Sequence, residues 1–239
     1  MRCIGIIGAM EVEVASLKER MKDVQVVHKA SMEFYAGMLE NKNVVVVRSG
    51  IGKVNAAVCT QILIDDFKAE AVINTGIAGS LNADINIGDI VVSTDLVHHD
   101  MNAVAFGYPV GQIPQMEEFS FHSDDALRAI AVKACKEANP DIAVFEGRIA
   151  SGDQFVADQA TKDFIIKEFG AYAVEMEGAA IAQAAALNKV PFLVIRAISD
   201  KADGSAEMDY PTFEAQAAEH SFKLTTHILK EIQRSEERR

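Results

Sequence analysis

General acid–base chemistry needs one carboxyl that can give a proton and another that can take one. Acidic side chains stand beside small residues in several short segments of this chain. Glu11 and Glu13 follow the apolar run Cys3–Gly8, Glu175 and Glu177 flank Met176 just after Tyr172–Val174, and Asp200 follows Ser199 at the end of Phe192–Ile198. The segments Ser49-Gly50-Ile51-Gly52, Thr75-Gly76-Ile77-Ala78-Gly79 and Ser151-Gly152-Asp153 each follow a β-rich run as well. In open α/β sheets ligands bind outside the carboxyl ends of the strands, so these segments would rim one polar site lined by carboxylates.

Each segment also has a plainer reading. Gly50-x-Gly52 lacks the third glycine of a dinucleotide fingerprint, because Asn55 stands there, and reads by default as a tight strand-to-helix turn. Glu13 taken alone reads as an exposed carboxylate in a first helical turn, favoured by the helix dipole. Glu175 and Glu177 could be solvated or N-terminal helix charges, yet Glu177 opens an Ala-rich helix in which an unpaired acid would be costly. His98-His99-Asp100 has the residue types of a metal cluster, but neighbouring side chains on a strand point to opposite faces, so a satisfied structural pair and no metal is expected. Phe106, Tyr108 and Phe119 could be core, or an apolar patch for a partner subunit.

The elements that must hold these residues alternate along the chain. Helical spacing of Met10, Val14, Leu17 and Met21 follows the first strand, and strands are expected at Val24–His28, Phe34–Leu39 and Val44–Arg48. A helix over Lys53–Phe67 leads to strands Ala71–Asn74 and Asp89–Leu96. Met101–Phe121, with Gly107, Pro109, Gly111 and Pro114, reads as a long loop, a length associated with function. Ser123 is positioned to cap a helix that Asn139-Pro140 stops. Strand Ala143–Ala150, helix Asp158–Phe169, a short strand at Tyr172–Val174, the Ala-rich helix to Asn188, strand Phe192–Ser199 and a last helix opened by Pro211 complete the order. With no linker, repeat or low-complexity tract, the expectation is one α/β domain over residues 1–233, a central mixed β-sheet flanked by α-helices, and a polar tail at 234–239 that frays.

Composition narrows the classes. The 239 residues carry 23 Lys plus Arg against 35 Asp plus Glu, a net charge of −12 that disfavours nucleic acid and anionic membrane surfaces as partners. A hydrophobic fraction of 49% supports a core and excludes global disorder. No apolar stretch approaches the ~20 residues of a membrane-spanning helix. The N-terminus lacks a signal-peptide layout, and the three cysteines, Cys3, Cys59 and Cys135, have neither zinc nor disulfide spacing. Reduced thiols in a cytoplasmic protein are expected.

The ordered set Gly5–Glu13 (GIIGAMEVE), Ser49–Ala57 (SGIGKVNAA), Asn74–Gly79 (NTGIAG), Ser151–Phe155 (SGDQF), Val174–Gly178 (VEMEG) and Arg196–Asp200 (RAISD) resembles the bacterial 5′-methylthioadenosine/S-adenosylhomocysteine nucleosidases, from about Arg2 to Ile232. Singly, each motif marks only the nucleoside phosphorylase/hydrolase superfamily. Together with Met10-Glu11-Val12-Glu13 they mark its hydrolase branch.

The resemblance implies hydrolysis of an N-glycosidic bond to release adenine and a 5′-thioribose product, without a cofactor. An oxocarbenium-like transition state asks for a protonated leaving base, an activated water and negative charge near the sugar. By this resemblance Asp200 is the general acid toward adenine N7, kept neutral by the apolar strand end behind it and held by Ser199 and the strand of Arg196. Glu13 is the base for water, and Glu177, ionised at a helix N-terminus, accepts the ribose hydroxyls. Phe155 stacks on adenine, Val156 reads its edge through the backbone, and Met176 lies under the ribose. Ala78, Gly79 and Glu175 complete the substrate surface. Met10, Ile51 and Tyr210 line the alkylthio wall, with Phe106 and Pro114 supplied by the neighbour in a homodimer. Two positions depart from the family pattern: Ile77 stands where relatives often carry Ser, removing a hydroxyl near the water, and Tyr210 replaces a common Phe.

Three other readings compete. A phosphorylase would need a phosphate pocket, for which only Arg48 is an obvious cation near Glu11 and Glu13. A futalosine-type nucleoside hydrolase shares the scaffold. A non-catalytic nucleoside-binding protein would have no need of Glu13, Glu177 and Asp200 together.

Overall fold

A computed structural model describes residues 3–200 and 210–237, with side chains described over 3–200 and 219–233. The first half runs β1 (Cys3–Gly8), α1 (Glu11–Arg20), β2 (Lys22–Lys29), β3 (Met32–Leu39), β4 (Lys42–Arg48), α2 (Lys53–Asp65), β5 (Ala69–Ser80) and β6 (Ile90–His98). A 3-10 turn at Val104–Phe106 and the two-residue β7 (Phe121–His122) interrupt the long loop. Then come α3 (Asp125–Ala138), β8 (Val144–Ser151), α4 (Gln159–Phe169), β9 (Ala173–Glu175), α5 (Gly178–Leu187), β10 (Phe192–Asp200) and α6 (Tyr210–Glu237).

All the strands join one mixed sheet in the order β10-β6-β8-β9-β5-β1-β4-β3-β2, with β7 on β6 and a further β10–β5 pairing. Its centre is parallel: β4 on β1, β1 on β5, and β5 on β10. Because β10 pairs with both β5 and β6, the strands β5, β9, β8, β6 and β10 close a ring, and the β4-β3-β2 meander extends the sheet from β1. The buried runs Ile4–Ile7, Val44–Val47 and Phe192–Ile195 are apolar throughout, as strands covered on both faces must be. One face packs under α1, α3 and α6 through Val14, Leu17, Ala131 and Leu224. The other lies under α2 and α5 through Ala56, Cys59, Ala179 and Ile181.

The expected mixed α/β architecture is therefore the observed one, with informative differences. β5 does not stop at Asn74. It continues through Thr75–Gly79 because β10 pairs with it from Val72 to Gly79 and β9 pairs with Gly79 and Ser80. The cap of α3 is Asp124, whose carboxylate accepts the Leu127 N–H at 2.8 Å, while the Ser123 hydroxyl is 2.6 Å from that of Ser93. The backbone of α6 runs on as helix to Glu237, past the expected boundary at 233.

Candidate active site

The first carboxylate is fixed by α1. Glu13 is the third residue of that helix and reaches back to its start, where Oε2 accepts the N–H groups of Ala9 (2.6 Å) and Met10 (2.9 Å). Its Oε1 accepts from Ile77 on β5 at 3.1 Å. Gly76 permits this approach, since a Cβ there would lie 2.6 Å from Glu13 Oε1. The exposed first-turn carboxylate of the plainer reading is thus overturned, for Glu13 is buried. Burial pushes its pKa up against the opposing Arg196 charge and the backbone donors, which makes it a stronger base than a solvated glutamate.

The second cluster sits where β9 meets α5. Glu175 ends β9 and is fully engaged: Oε1 accepts the Ser151 hydroxyl, and Oε2 accepts Arg196 (2.5 Å) and the N–H groups of Glu177 (3.1 Å) and Gly178 (2.8 Å). Burial alone would raise its pKa, but the Arg196 charge and these donors hold it below the ordinary range. Glu177 is the N-cap of α5, and its Oε1 accepts the Gly52 N–H at 2.8 Å, so the Ser49–Gly52 turn locates it. Burial, reinforced by the Glu175 charge, pushes Glu177 up to about 7. The helix N-terminus does not keep it as acidic as expected, because desolvation outweighs the dipole.

The third carboxylate is aimed by an irregularity. The β10–β5 register steps from Ile198↔Ala78 to Asp200↔Gly79, a bulge at Ser199 that turns Asp200 toward the cavity. Ser199 Oγ donates to Asp200 Oδ1 at 3.0 Å, as expected. The strand end behind it is not wholly apolar, however, because the ammonium of Lys162 from α4 lies 3.5 Å from Asp200 Oδ2.

The three carboxylates share one cavity, open to solvent on one side. Glu13 abuts β5 at Gly76 and Asp200 abuts it at Gly79. Met10, Ile51, Ala78, Gly79, Phe155, Glu175, Met176 and Ser199 also line this cavity, with Ile77 beside Glu13. Val156 lines an adjoining recess shared with Gly79, Phe155 and Asp200. Phe155 is 72% exposed, a ring available to stack on a planar ligand.

Not every expected residue converges. Arg196 is buried behind the wall, bonded to Glu175 and to Asn74 Oδ1 (2.5 Å), so it supports the carboxylates without lining the cavity. Phe106, 84% exposed, and Pro114 lie on the long loop outside this chain's own cavity. The Tyr210 side chain lies outside the described residues. Lys162 was not legible as a site residue. Its signal is a lysine in the apolar stripe with Ile165 and Phe169. His98 Nε2 is 3.0 Å from Gln183 Oε1, but His98 Nδ1 and His99 Nε2 lack partners among the described residues, so the expected satisfied pair is satisfied only in part. Among the described residues no three His, Cys, Asp or Glu side chains form a metal cluster.

This parallel-centred sheet and its carboxylate-rimmed cavity define the class of protein: the family model described as Phosphorylase superfamily matches residues 3–230. Within it, the chain is 42% identical over 230 residues, 96% of its length and 100% of the relative, to the 5′-methylthioadenosine/S-adenosylhomocysteine nucleosidase of Staphylococcus carnosus. A solved structure of the Neisseria meningitidis nucleosidase in complex with methylthio-immucillin-A superposes with a TM-score of 0.92 at 42% identity, covering 97% of this chain and 100% of that one. Helicobacter pylori futalosine hydrolase gives 0.90 at 37%, covering 96% and 98%. The chain belongs to the 5′-methylthioadenosine/S-adenosylhomocysteine nucleosidase family.

Proposed function

We propose that this chain hydrolyses the N-glycosidic bond of 5′-methylthioadenosine and S-adenosylhomocysteine, releasing adenine and a 5′-thioribose product. The observation that carries this reading is that Glu13, Glu177 and Asp200 line one cavity, with Glu13 and Asp200 both against β5. In the proposed step Asp200 gives its proton to N7 of the leaving adenine as the C1′–N9 bond breaks. A water adds to C1′, and its proton passes to Glu13. Glu177, held by the Gly52 N–H, hydrogen-bonds the ribose hydroxyls, and the partial positive charge at C1′ is balanced by the carboxylates around it. Phe155 stacks on the base, Val156 reads its edge, Met176 supports the ribose, and Met10 and Ile51 form the wall for the alkylthio group.

Water is favoured over phosphate because a carboxylate occupies the nucleophile's end of the cavity. Arg48 points away to Glu11 at 3.8 Å, and Arg196 is committed to Glu175 and Asn74. The likeness to the futalosine hydrolase supports a second substrate of the same reaction class. We further propose a cytoplasmic homodimer in which Phe106 and Pro114 close the partner's cavity. Support comes from exposed Phe106, Val54 and Leu187, the last two lining a shallow apolar groove with Ala57, Ala180 and Ala184. The three cysteines are free, and no helix among the described residues is long and apolar enough to cross a membrane.

The test is adenine release from methylthioadenosine, S-adenosylhomocysteine and futalosine, with the sedimentation coefficient measured in parallel. Release from the first two supports the reading, release from futalosine alone replaces the substrate, and no release from any of them refutes catalysis. A monomer at assay concentration removes Phe106 and Pro114 from the site.

A further inference from the structure

Helix α4 packs its inner face on the sheet through three buried side chains, Lys162, Ile165 and Phe169, at helical spacing. Two are the hydrophobes such a stripe calls for. The third is an ammonium only 1% exposed, in the first turn of a helix whose N-terminal dipole disfavours positive charge. Desolvating an ammonium is costly enough that an apolar side chain of equal length would serve packing better unless a carboxylate compensates. A carboxylate within reach is Asp200, whose Oδ2 is 3.5 Å from Lys162 Nζ and whose Oδ1 is held by Ser199. Asp200 in turn lines the cavity where Gly79 lets it approach the backbone, a Cβ at Gly79 lying 3.0 Å from Oδ2.

We propose that Lys162 is a positioning residue for the proposed hydrolysis: its ammonium holds Asp200 at the leaving-base end of the cavity and stabilises the carboxylate that remains once the proton has passed to the purine. The inference rests on the proposed role of Asp200 as general acid. In the step, the O–H bond of Asp200 breaks and the N7–H bond forms while the C1′–N9 electron pair moves into the base. A neutral carboxyl beside an ammonium becomes an ion pair. The charge that appears on Asp200 meets a fixed positive partner without solvent reorganisation. Among the described residues the other titratable groups lining this cavity are Glu13 from α1, Glu175 from β9 and Glu177 at the start of α5, all acidic. Lys162 is thus the cation that opposes them at the Asp200 end.

The variant Lys162→Met keeps the length of the stripe and removes the charge, and Lys162→Arg restores it. With methylthioadenosine, Lys162→Met is expected to lose roughly tenfold or more in kcat with KM changed far less. Lys162→Arg should recover most of the rate. A 4-nitrophenyl 5-methylthioriboside, whose leaving group needs no proton, should be turned over equally by wild type and Lys162→Met. Equal losses on both substrates, or no recovery of rate in Lys162→Arg, would overturn the proposal and leave Lys162 a packing residue. If the methionine variant is recovered unfolded, Lys162→Gln carries the same readouts. The wild type's own release of adenine reports separately on the hydrolase reading.

Discussion

Replacing Glu177 by glutamine should stabilise the unliganded protein in a way that depends on pH, and the magnitude follows from the site. Burial and the neighbouring Glu175 charge hold Glu177 at about 7 in the folded chain, against an ordinary value of 4.5. Below pH 4.5 the group is protonated whether folded or unfolded and contributes nothing. Between 4.5 and 7 the unfolded chain ionises while the folded one does not, so stability is lost as pH rises, and above 7 the loss is complete. A gap of about 2.5 pH units at 1.36 kcal/mol each corresponds to about 3 kcal/mol. Glutamine imitates the protonated acid and keeps an oxygen for the Gly52 N–H. Wild type and Glu177→Gln should therefore unfold together near pH 4.5 and separate by about 6–12 °C in Tm by pH 8, the variant being the more stable. Thermal melts of the apo protein at fixed concentration from pH 4.5 to 8.5 measure this, while adenine release should fall because the ribose hydroxyls lose their anionic partner. A Tm difference independent of pH, or a variant less stable at pH 8, would refute the reasoning.

Other outcomes follow from the same contacts. Arg196→Met should destabilise the fold by about 3–5 kcal/mol in urea unfolding, since Glu175 would be left buried without its compensating charge. Gly76→Ala should drive Glu13 off its three backbone donors, cutting kcat by about 10²-fold while KM changes little, read in steady-state kinetics. Asp200→Asn should cost at least ~10²-fold in turnover while inhibitor binding persists, and near-normal turnover would remove it as the acid.

Much of this architecture was legible because apolar strand runs and helical periodicities alternate cleanly from Cys3 to Phe192. The end of β5 was not, because Thr75-Gly76-Ile77-Ala78-Gly79 carries loop-forming residues. It is extended only because β10 and β9 pair with it, and the glycines admit Glu13 and Asp200 against the backbone. Asp124 displaced Ser123 as cap because Ser123 is drawn into the core by Ser93, a partner thirty residues away. In the site, Glu13, Glu177 and Asp200 were marked by their place after strands, and the family resemblance added their roles. Their environments depend on contacts distant in sequence: Glu13 with Ile77, Glu177 with Gly52, and Asp200 with Lys162. Arg196 could be seen to matter from its motif, but only the folded sheet directs its guanidinium to Glu175 and Asn74.

Hydrolysis driven by an acid and a base across one cavity is tested most directly by running the reaction on methylthioadenosine in ¹⁸O-water with saturating inorganic phosphate present. The expected products are adenine and a free 5-methylthioribose in which the first turnover places one ¹⁸O at C1, with Glu13→Gln abolishing its formation. A 5-methylthioribose 1-phosphate carrying no label would contradict it.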